Sequence, residues 1–160
     1  MARSTTLSLI VLLILSCQER PKKQEQFKLP PSDYMVLKYK PEWYWVFEDA
    51  SPSDLSNEEL VQIEEILQSA IANHNNHYKD DPEAFEQWGL ELDKYKRQYV
   101  PVINQKGEKV IWMNFFCKNS NIKNQENEIL LVLDGGNCYF NLKINLTTKQ
   151  YSNLEVNGYA

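Results

Sequence analysis

The stretch that decides the fold runs from residue 95 to residue 118. It reads Tyr-Lys-Arg-Gln-Tyr-Val-Pro-Val-Ile over 95–103, Asn-Gln-Lys-Gly-Glu over 104–108 and Lys-Val-Ile-Trp-Met-Asn-Phe-Phe-Cys-Lys over 109–118. The outer runs are rich in β-branched and aromatic residues, whereas the run between them is polar and contains a glycine. This arrangement predicts two antiparallel strands joined by a hairpin turn.

Two helices are predicted upstream of this hairpin. Ser56 and Glu59 have the spacing of a capping box, and apolar residues then recur at helical spacing to about His77. Asp81 followed by Pro82 is typical of a second helix start, and the glycine at position 89 keeps that helix short.

Further strands are predicted at 33–40, 129–133, 138–146 and 151–156. The order of elements indicates an α+β fold, with one main helix and a short helix packed on one face of an antiparallel sheet of about four to six strands. A cystatin-like or NTF2-like curled sheet is one architecture of this kind, by analogy alone.

The aromatic run at 43–47 is a further strand candidate. Trp43, Trp45 and Phe47 alternate onto one face, and Tyr44 and Val46 onto the other. Such a cluster can form a sugar-stacking or membrane-interface platform, but apolar residues on both faces favour a place in the core.

The first residues of the chain have the layout of a secretory signal. Arg3 supplies a positive charge, residues 7–15 are apolar except for Ser8, and the small Ser16 precedes Cys17. The apolar run is shorter than the roughly 20 residues that a membrane-spanning helix needs. We therefore predict a signal peptide at 1–16, a polar, proline-containing flexible tether at 17–32 and a single α+β domain at 33–160.

Ile14-Leu15-Ser16-Cys17 resembles the lipobox of bacterial lipoproteins. The resemblance implies that Cys17 carries a diacylglyceryl group and becomes the acylated N-terminus, so that the chain is held on a membrane by lipid. Gln18 is not the aspartate of the enterobacterial retention signal, which favours the outer membrane, on either its periplasmic or its surface face.

The composition argues against a nucleic-acid partner. The chain contains 17 Lys plus Arg and 22 Asp plus Glu, and residues 1–16 contribute only Arg3, which leaves 16 against 22 and a formal net charge of −6 after cleavage. No basic patch stands out, and a mildly acidic surface mainly promotes solubility.

Two cysteines remain once Cys17 is set aside. Cys117 and Cys138 both alternate with apolar residues, so both are predicted to point toward the core. An exported protein meets an oxidising compartment, where such a pair forms either a disulfide or two buried thiols. Simple hairpin counting places Cys117 opposite about Leu130, so both alternatives stay open.

Other chemical motifs are weak. Asp134-Gly135-Gly136-Asn137 is predicted to be a hairpin turn or bulge between strands rather than an anion cradle. Cys138 with a histidine base is not favoured as a catalytic pair, because a thiol in the core is inert. His74 and His77, with Asp80 and Asp81, lack the spacing of a zinc site, and no cofactor motif is found.

The expected function is a non-enzymatic binding or interaction domain in the cell envelope, with an envelope protein or glycan as partner. The alternatives are a small-ligand-binding or hydrolytic pocket domain and an inhibitor of a secreted hydrolase. A pocket would use polar side chains such as Tyr95, Arg97 and Asn114.

Residues 43–160 also resemble small, uncharacterised lipoproteins of Bacteroidota. The matching motifs are Tyr-Lys-Arg-Gln-Tyr-Val at 95–100, Asn-Phe-Phe-Cys at 114–117, Asp-Gly-Gly-Asn-Cys-Tyr-Phe at 134–140 and Asn-Gly-Tyr-Ala at 157–160. The resemblance implies no activity.

Overall fold

A computed structural model describes residues 26–120 and 127–159. Its strands and helices are β1 (Tyr34–Val36), β2 (Ser51–Pro52), α1 (Asn57–Asn75), α2 (Pro82–Trp88), β3 (Tyr95–Ile103), β4 (Lys109–Cys117), β5 (Tyr139–Asn145) and β6 (Gln150–Val156). Two helices packed with a six-stranded sheet confirm the α+β class. Cys17, the signal and most of the tether lie outside the described residues.

The sheet is mixed rather than purely antiparallel. Its strand order is β1-β3-β4-β5-β6, and β2 pairs with the far end of β3. β1 runs parallel to β3, with Tyr34 opposite Arg97 and Val36 opposite Tyr99. Both helices lie between these two strands in the sequence, which gives the long connection that a parallel pair requires.

α1 forms because its start is capped and one of its faces is apolar. The backbone N–H of Glu59 donates to the Ser56 hydroxyl, and the Glu59 carboxylate accepts from the Ser56 N–H, as the capping box predicts. The apolar stripe is buried on the sheet and comprises Leu60, Ile63, Leu67, Ala70 and Ile71. α1 ends at Asn75, whose side-chain amide exchanges two hydrogen bonds with the backbone of Leu90.

Residues 43–47 do not form the predicted strand. They follow a 3-10 helix at Pro41–Trp43, and the backbone N–H of Val46 donates to the Trp43 carbonyl. Trp43, Val46 and Phe47 are buried, while Tyr44 and Trp45 are exposed. Burial at spacings of three and four is typical of a helical turn, so the apolar alternation over 43, 45 and 47 indicated the wrong period.

The predicted strand at 129–133 is also absent from the described sheet, because β5 occupies the place beside β4. The residues preceding β5 instead cross the sheet as an irregular segment, which we call the cross-strand segment (residues 128–134). The cystatin-like and NTF2-like architectures stay predictions.

Candidate functional site

α1 packs on one face of the sheet, and the opposite face carries a groove. The groove has a volume of about 370 Å³ and is floored by alternate side chains of the last three strands. Trp112 and Asn114 come from β4, Asn141 and Lys143 come from β5, and Glu155 comes from β6.

The first wall of the groove is the turn at Trp45 and Val46. The Lys143 ammonium donates to the Val46 carbonyl at 2.6 Å and lies 4.8 Å from the centre of the Phe47 ring. Trp45 packs edge-to-face on Trp112, with ring centres 5.8 Å apart and planes at 87°. The Lys143 contacts hold the turn, and the Trp112 contact positions Trp45, which is 46% exposed.

The second wall is the cross-strand segment. Gln98 donates to the Glu128 carbonyl at 2.8 Å, Asn114 donates to the Leu130 carbonyl at 2.8 Å, and Asn157 donates to the Val132 carbonyl at 2.6 Å. These three side-chain amides hold the cross-strand segment against the sheet, in place of the backbone hydrogen bonds of a paired strand. Leu133 lies on this wall and is 94% exposed.

A β-bulge determines which residues of β6 face the groove. Asn141 pairs with Glu155 but Lys143 pairs with Ser152, so Asn153 and Leu154 together oppose one residue of β5. Asn153 has φ +54°, in the left-handed region that asparagine tolerates better than most residues. The extra residue reverses the alternation, because a shift of one position exchanges the faces of a strand. Leu154 and Val156 therefore pack in the helix-side core, whereas Asn153, Glu155 and Asn157 line the groove.

The groove offers polar groups that make no hydrogen bond within the described part of the chain. Asn141 accepts from the Trp112 indole N–H at 3.2 Å, which leaves its own amide N–H groups unused there. The Asn153 amide, the Glu155 carboxylate and the Tyr139 hydroxyl make no hydrogen bond among the described residues. Burial lowers the pKa of Lys143, and the nearby Glu155 carboxylate opposes that shift. The groove therefore combines exposed indole with free donors and acceptors.

The three pocket residues predicted from the sequence do not lie together. Asn114 lines the groove, where it also donates to Gln98. Arg97 is on the helix face of β3, only 2% exposed, and its Nη1 pairs with Glu64 at 2.5 Å. Tyr95 donates to the Asn137 carbonyl at 2.6 Å beside α2, and burial raises the pKa of its hydroxyl. Alternation along β3 and β4 explains the separation, since Asn114 lies on the opposite face from the other two.

Cys117 and Cys138 form a disulfide, with Cα atoms 4.9 Å apart. The hairpin counting was wrong because it assumed a strand at 129–133, whereas β4 pairs directly with β5 and brings the two cysteines to the same end of that pair. The loop that the disulfide closes contains the cross-strand segment.

The Asp134–Asn137 motif connects parts of the fold, but it is not a hairpin turn. Gly135 and Gly136 have φ of +90° and +56°, and the Gly136 N–H donates to the Gly158 carbonyl. The Asn137 amide donates to carbonyls in and after α2. The Tyr159 hydroxyl lies within hydrogen-bond distance of the Gln87 carbonyl, at 2.9 Å, and of the Asn137 side-chain oxygen, at 3.2 Å. These contacts attach the C-terminal residues to α2.

The histidines considered for zinc take part in local packing. His74 contacts the Trp88 carbonyl at 2.8 Å and packs on Tyr78, and His77 also packs on this tyrosine. Over residues 26–120 and 127–159, no group of three or more metal-ligating side chains comes together. Within the same ranges, no helix has the length and apolar character needed to cross a bilayer.

Sequence reasoning missed most residues of the groove. Two signals pointed to the groove: Asn114, which the sequence predicts as a pocket residue, and the aromatic run at 43–47, whose pattern is compatible with a sugar-stacking surface but favours the core. Asn141, Asn153 and Glu155 are ordinary polar residues in strands, and they become neighbours through pairing and the bulge.

Comparison with known proteins assigns no family. No family model, no curated protein and no solved structure matches this chain.

Proposed function

We propose that this chain is a lipid-anchored protein of the bacterial cell envelope, attached through Cys17, whose domain is a non-enzymatic binding module. The observation that carries the binding function is the groove, a concave site with two fixed walls and free polar groups on its floor. The signal-like residues 1–16 and the lipobox-like Ile14–Cys17 support the anchor. Attachment at the outer membrane is part of the proposal.

The arrangement suits a domain that works at a short distance from a membrane. The predicted tether at 17–32 is polar and contains three prolines, but its last residues belong to the domain, since Phe27 packs against the helix-side core. The part before Phe27 would separate the lipid from the domain. The groove lies on the sheet face opposite α1, so its opening is not covered by a helix.

The anchor is tested by replacing Cys17. We expect Cys17→Ala to abolish incorporation of radiolabelled palmitate and to prevent cleavage of the signal. The matched control is the double variant Cys117→Ala/Cys138→Ala, which removes thiols from the domain but should keep the label. Equal labelling of Cys17→Ala and wild type would overturn the anchor.

The groove is tested by retention of the purified, lipidated protein on isolated envelope fragments, in detergent. We expect Trp45→Ala to reduce retention about tenfold, since it removes the exposed indole. Tyr44→Ala is the matched control, because Tyr44 is 69% exposed, adjacent in sequence and outside the groove. Equal retention of the two variants and wild type would contradict a binding role for the groove.

A further inference from the structure

We infer that the ligand of the groove is a glycan, with a pyranose ring stacked on Trp45 and its hydroxyl groups bonded to Asn141, Asn153 and Glu155. This inference rests on the proposed function, since it names the partner class of the same groove. It follows from the chemistry of the groups that the groove leaves free.

Trp45 provides the stacking surface. Its contact with Trp112 is edge-to-face, so its orientation is fixed before a ligand arrives. Nearly half of the side chain remains accessible at the groove. The face of an indole ring is electron-rich, and the C–H groups on one side of a pyranose are weakly positive, so the two surfaces attract and exclude water.

The free polar groups match hydroxyl groups. A hydroxyl both donates and accepts, and the groove presents both functions: the amide N–H groups of Asn141 donate, the Glu155 carboxylate accepts, and the Asn153 amide does both. Trp112 holds the Asn141 oxygen, so the N–H groups of that amide are oriented in advance. Preorganised groups bind more tightly because less side-chain freedom is lost.

The same features disfavour other classes of ligand. An extended peptide adds to a free sheet edge, but the groove lies on a face whose strands already pair with each other. An acyl chain would leave the free Asn141, Asn153 and Glu155 groups without water or partners, which is costly. An anion would meet the Glu155 carboxylate, while the Lys143 ammonium is already bonded to the Val46 carbonyl.

The β-bulge in β6 directs ligand-binding side chains into the groove. If β6 continued in regular pairing from Ser152 without the bulge, Asn153 would lie opposite Leu142 and Glu155 opposite Phe140, so both side chains would face the helix-side core. Bulges often lie beside functional sites because they redirect side chains in this way.

The decisive experiment measures retention of the lipidated protein, in detergent, on envelope fragments treated in three ways. One sample is untreated, one is digested exhaustively with protease, and one is digested and then extracted with organic solvent to leave polysaccharide. We expect retention on all three, with a roughly tenfold loss for Trp45→Ala and no loss for Tyr44→Ala. Asn141→Ala should weaken retention severalfold on the same material.

The outcomes separate the two proposals. Retention that depends on Trp45 but disappears after protease treatment would identify a protein partner, and retention lost only on solvent extraction would identify a lipid. Either result overturns the glycan and leaves the binding function standing. Retention on untreated fragments that does not depend on Trp45 overturns both.

NMR of the wild-type protein tests binding in the groove directly. It does not depend on a variant whose loss of binding could come from unfolding. When the extracted polysaccharide is added to wild-type protein, the side-chain amide NMR signals of Asn141 and Asn153 should shift. The signal of Asn73, which donates to Tyr151 near α1, should not move. Shifts of Asn73 without shifts of Asn141 would contradict binding in the groove.

Discussion

The two faces of the sheet differ in how they are covered. On the helix face, α1 and its surroundings bury a continuous apolar core in which Ile63, Leu67 and Phe115 are fully inaccessible. On the other face, a smaller apolar cluster around Trp43 and Phe47 covers one end, and the groove occupies the other. The helix face contributes most to stability, whereas the groove face leaves part of its surface unburied and presents polar groups to a ligand.

Adjacent residues on β5 give the largest expected contrast. Phe140 stacks on Phe115 with ring centres 4.1 Å apart, and Asn141 faces the groove. We expect Phe140→Ala to lower the free energy of unfolding by about 3–5 kcal/mol, since it leaves a core cavity. Asn141→Ala should cost about 1 kcal/mol, for the lost bond from Trp112. Urea denaturation measures both, and equal losses would show that the two faces do not have separate roles.

Removal of the disulfide should have the next largest effect. The disulfide closes a loop between residues separated by 21 positions, and that loop contains the cross-strand segment. Cys117→Ala/Cys138→Ala should lower the unfolding free energy by about 3 kcal/mol, because the unfolded chain gains freedom. Wild type measured with reductant is the control and should show a similar loss. A loss below about 1 kcal/mol in both would mean that the loop stays ordered without its bond.

Substitutions at two glycines with positive φ allow the cost of backbone strain to be measured apart from the cost of a steric overlap. Gly136 has φ +56°, and a Cβ there would overlap the Tyr159 ring, while Gly107 has φ +75° and open space around it. Gly107→Ala should cost about 1 kcal/mol, and Gly136→Ala at least about 2 kcal/mol, because Tyr159 must also move. Thermal unfolding compares the two. Equal costs would show that Tyr159 moves away without loss.

A buried tyrosine makes the helix face sensitive to alkaline pH. Tyr99 is inaccessible to solvent, and burial raises the pKa of its hydroxyl from 10.0 to about 12. The folded state therefore keeps a proton that the unfolded state loses, so stability is full below pH 10 and falls as the pH rises toward 12. In Tyr99→Phe this part of the decline, on the order of 2 kcal/mol, should be absent. Urea denaturation across this range tests it, and identical pH profiles would contradict it.

The sequence predicted the helices and strands that are determined by interactions between neighbouring residues. The start of α1 follows from the Ser56–Glu59 capping box, and β3 and β4 follow from the alternation around the 104–108 turn. It did not predict the turn at Trp45 or the cross-strand segment at Leu130, because both depend on contacts with distant residues. The Asn114 and Lys143 side chains that hold these segments are far away in the sequence. The parallel pairing of β1 has the same cause, since nothing in a three-residue strand specifies its direction.

The bulge at Asn153 sets which residues of β6 face the core and which face the groove, and substitutions there should give a small difference in stability. Valine is branched at Cβ and strongly disfavours φ +54°, so we expect Asn153→Val to cost about 1–2 kcal/mol. Asn153→Gly adopts this conformation without strain and should stay within about 0.5 kcal/mol of wild type. The two variants lack the same amide, so both should bind the extracted polysaccharide more weakly.

The difference between these variants isolates the function of the bulge. If valine straightens β6, Leu154 and Val156 leave the core, Glu155 leaves the groove, and the NMR signals of both faces change together. With glycine, the signals of Leu154 and Val156 should keep their wild-type positions. A glycine variant in which those two signals shift would show that the Asn153 side chain, rather than its backbone conformation, maintains the register. In that case the Asn153 side chain would keep Leu154 in the core beneath α1 and Glu155 in the groove.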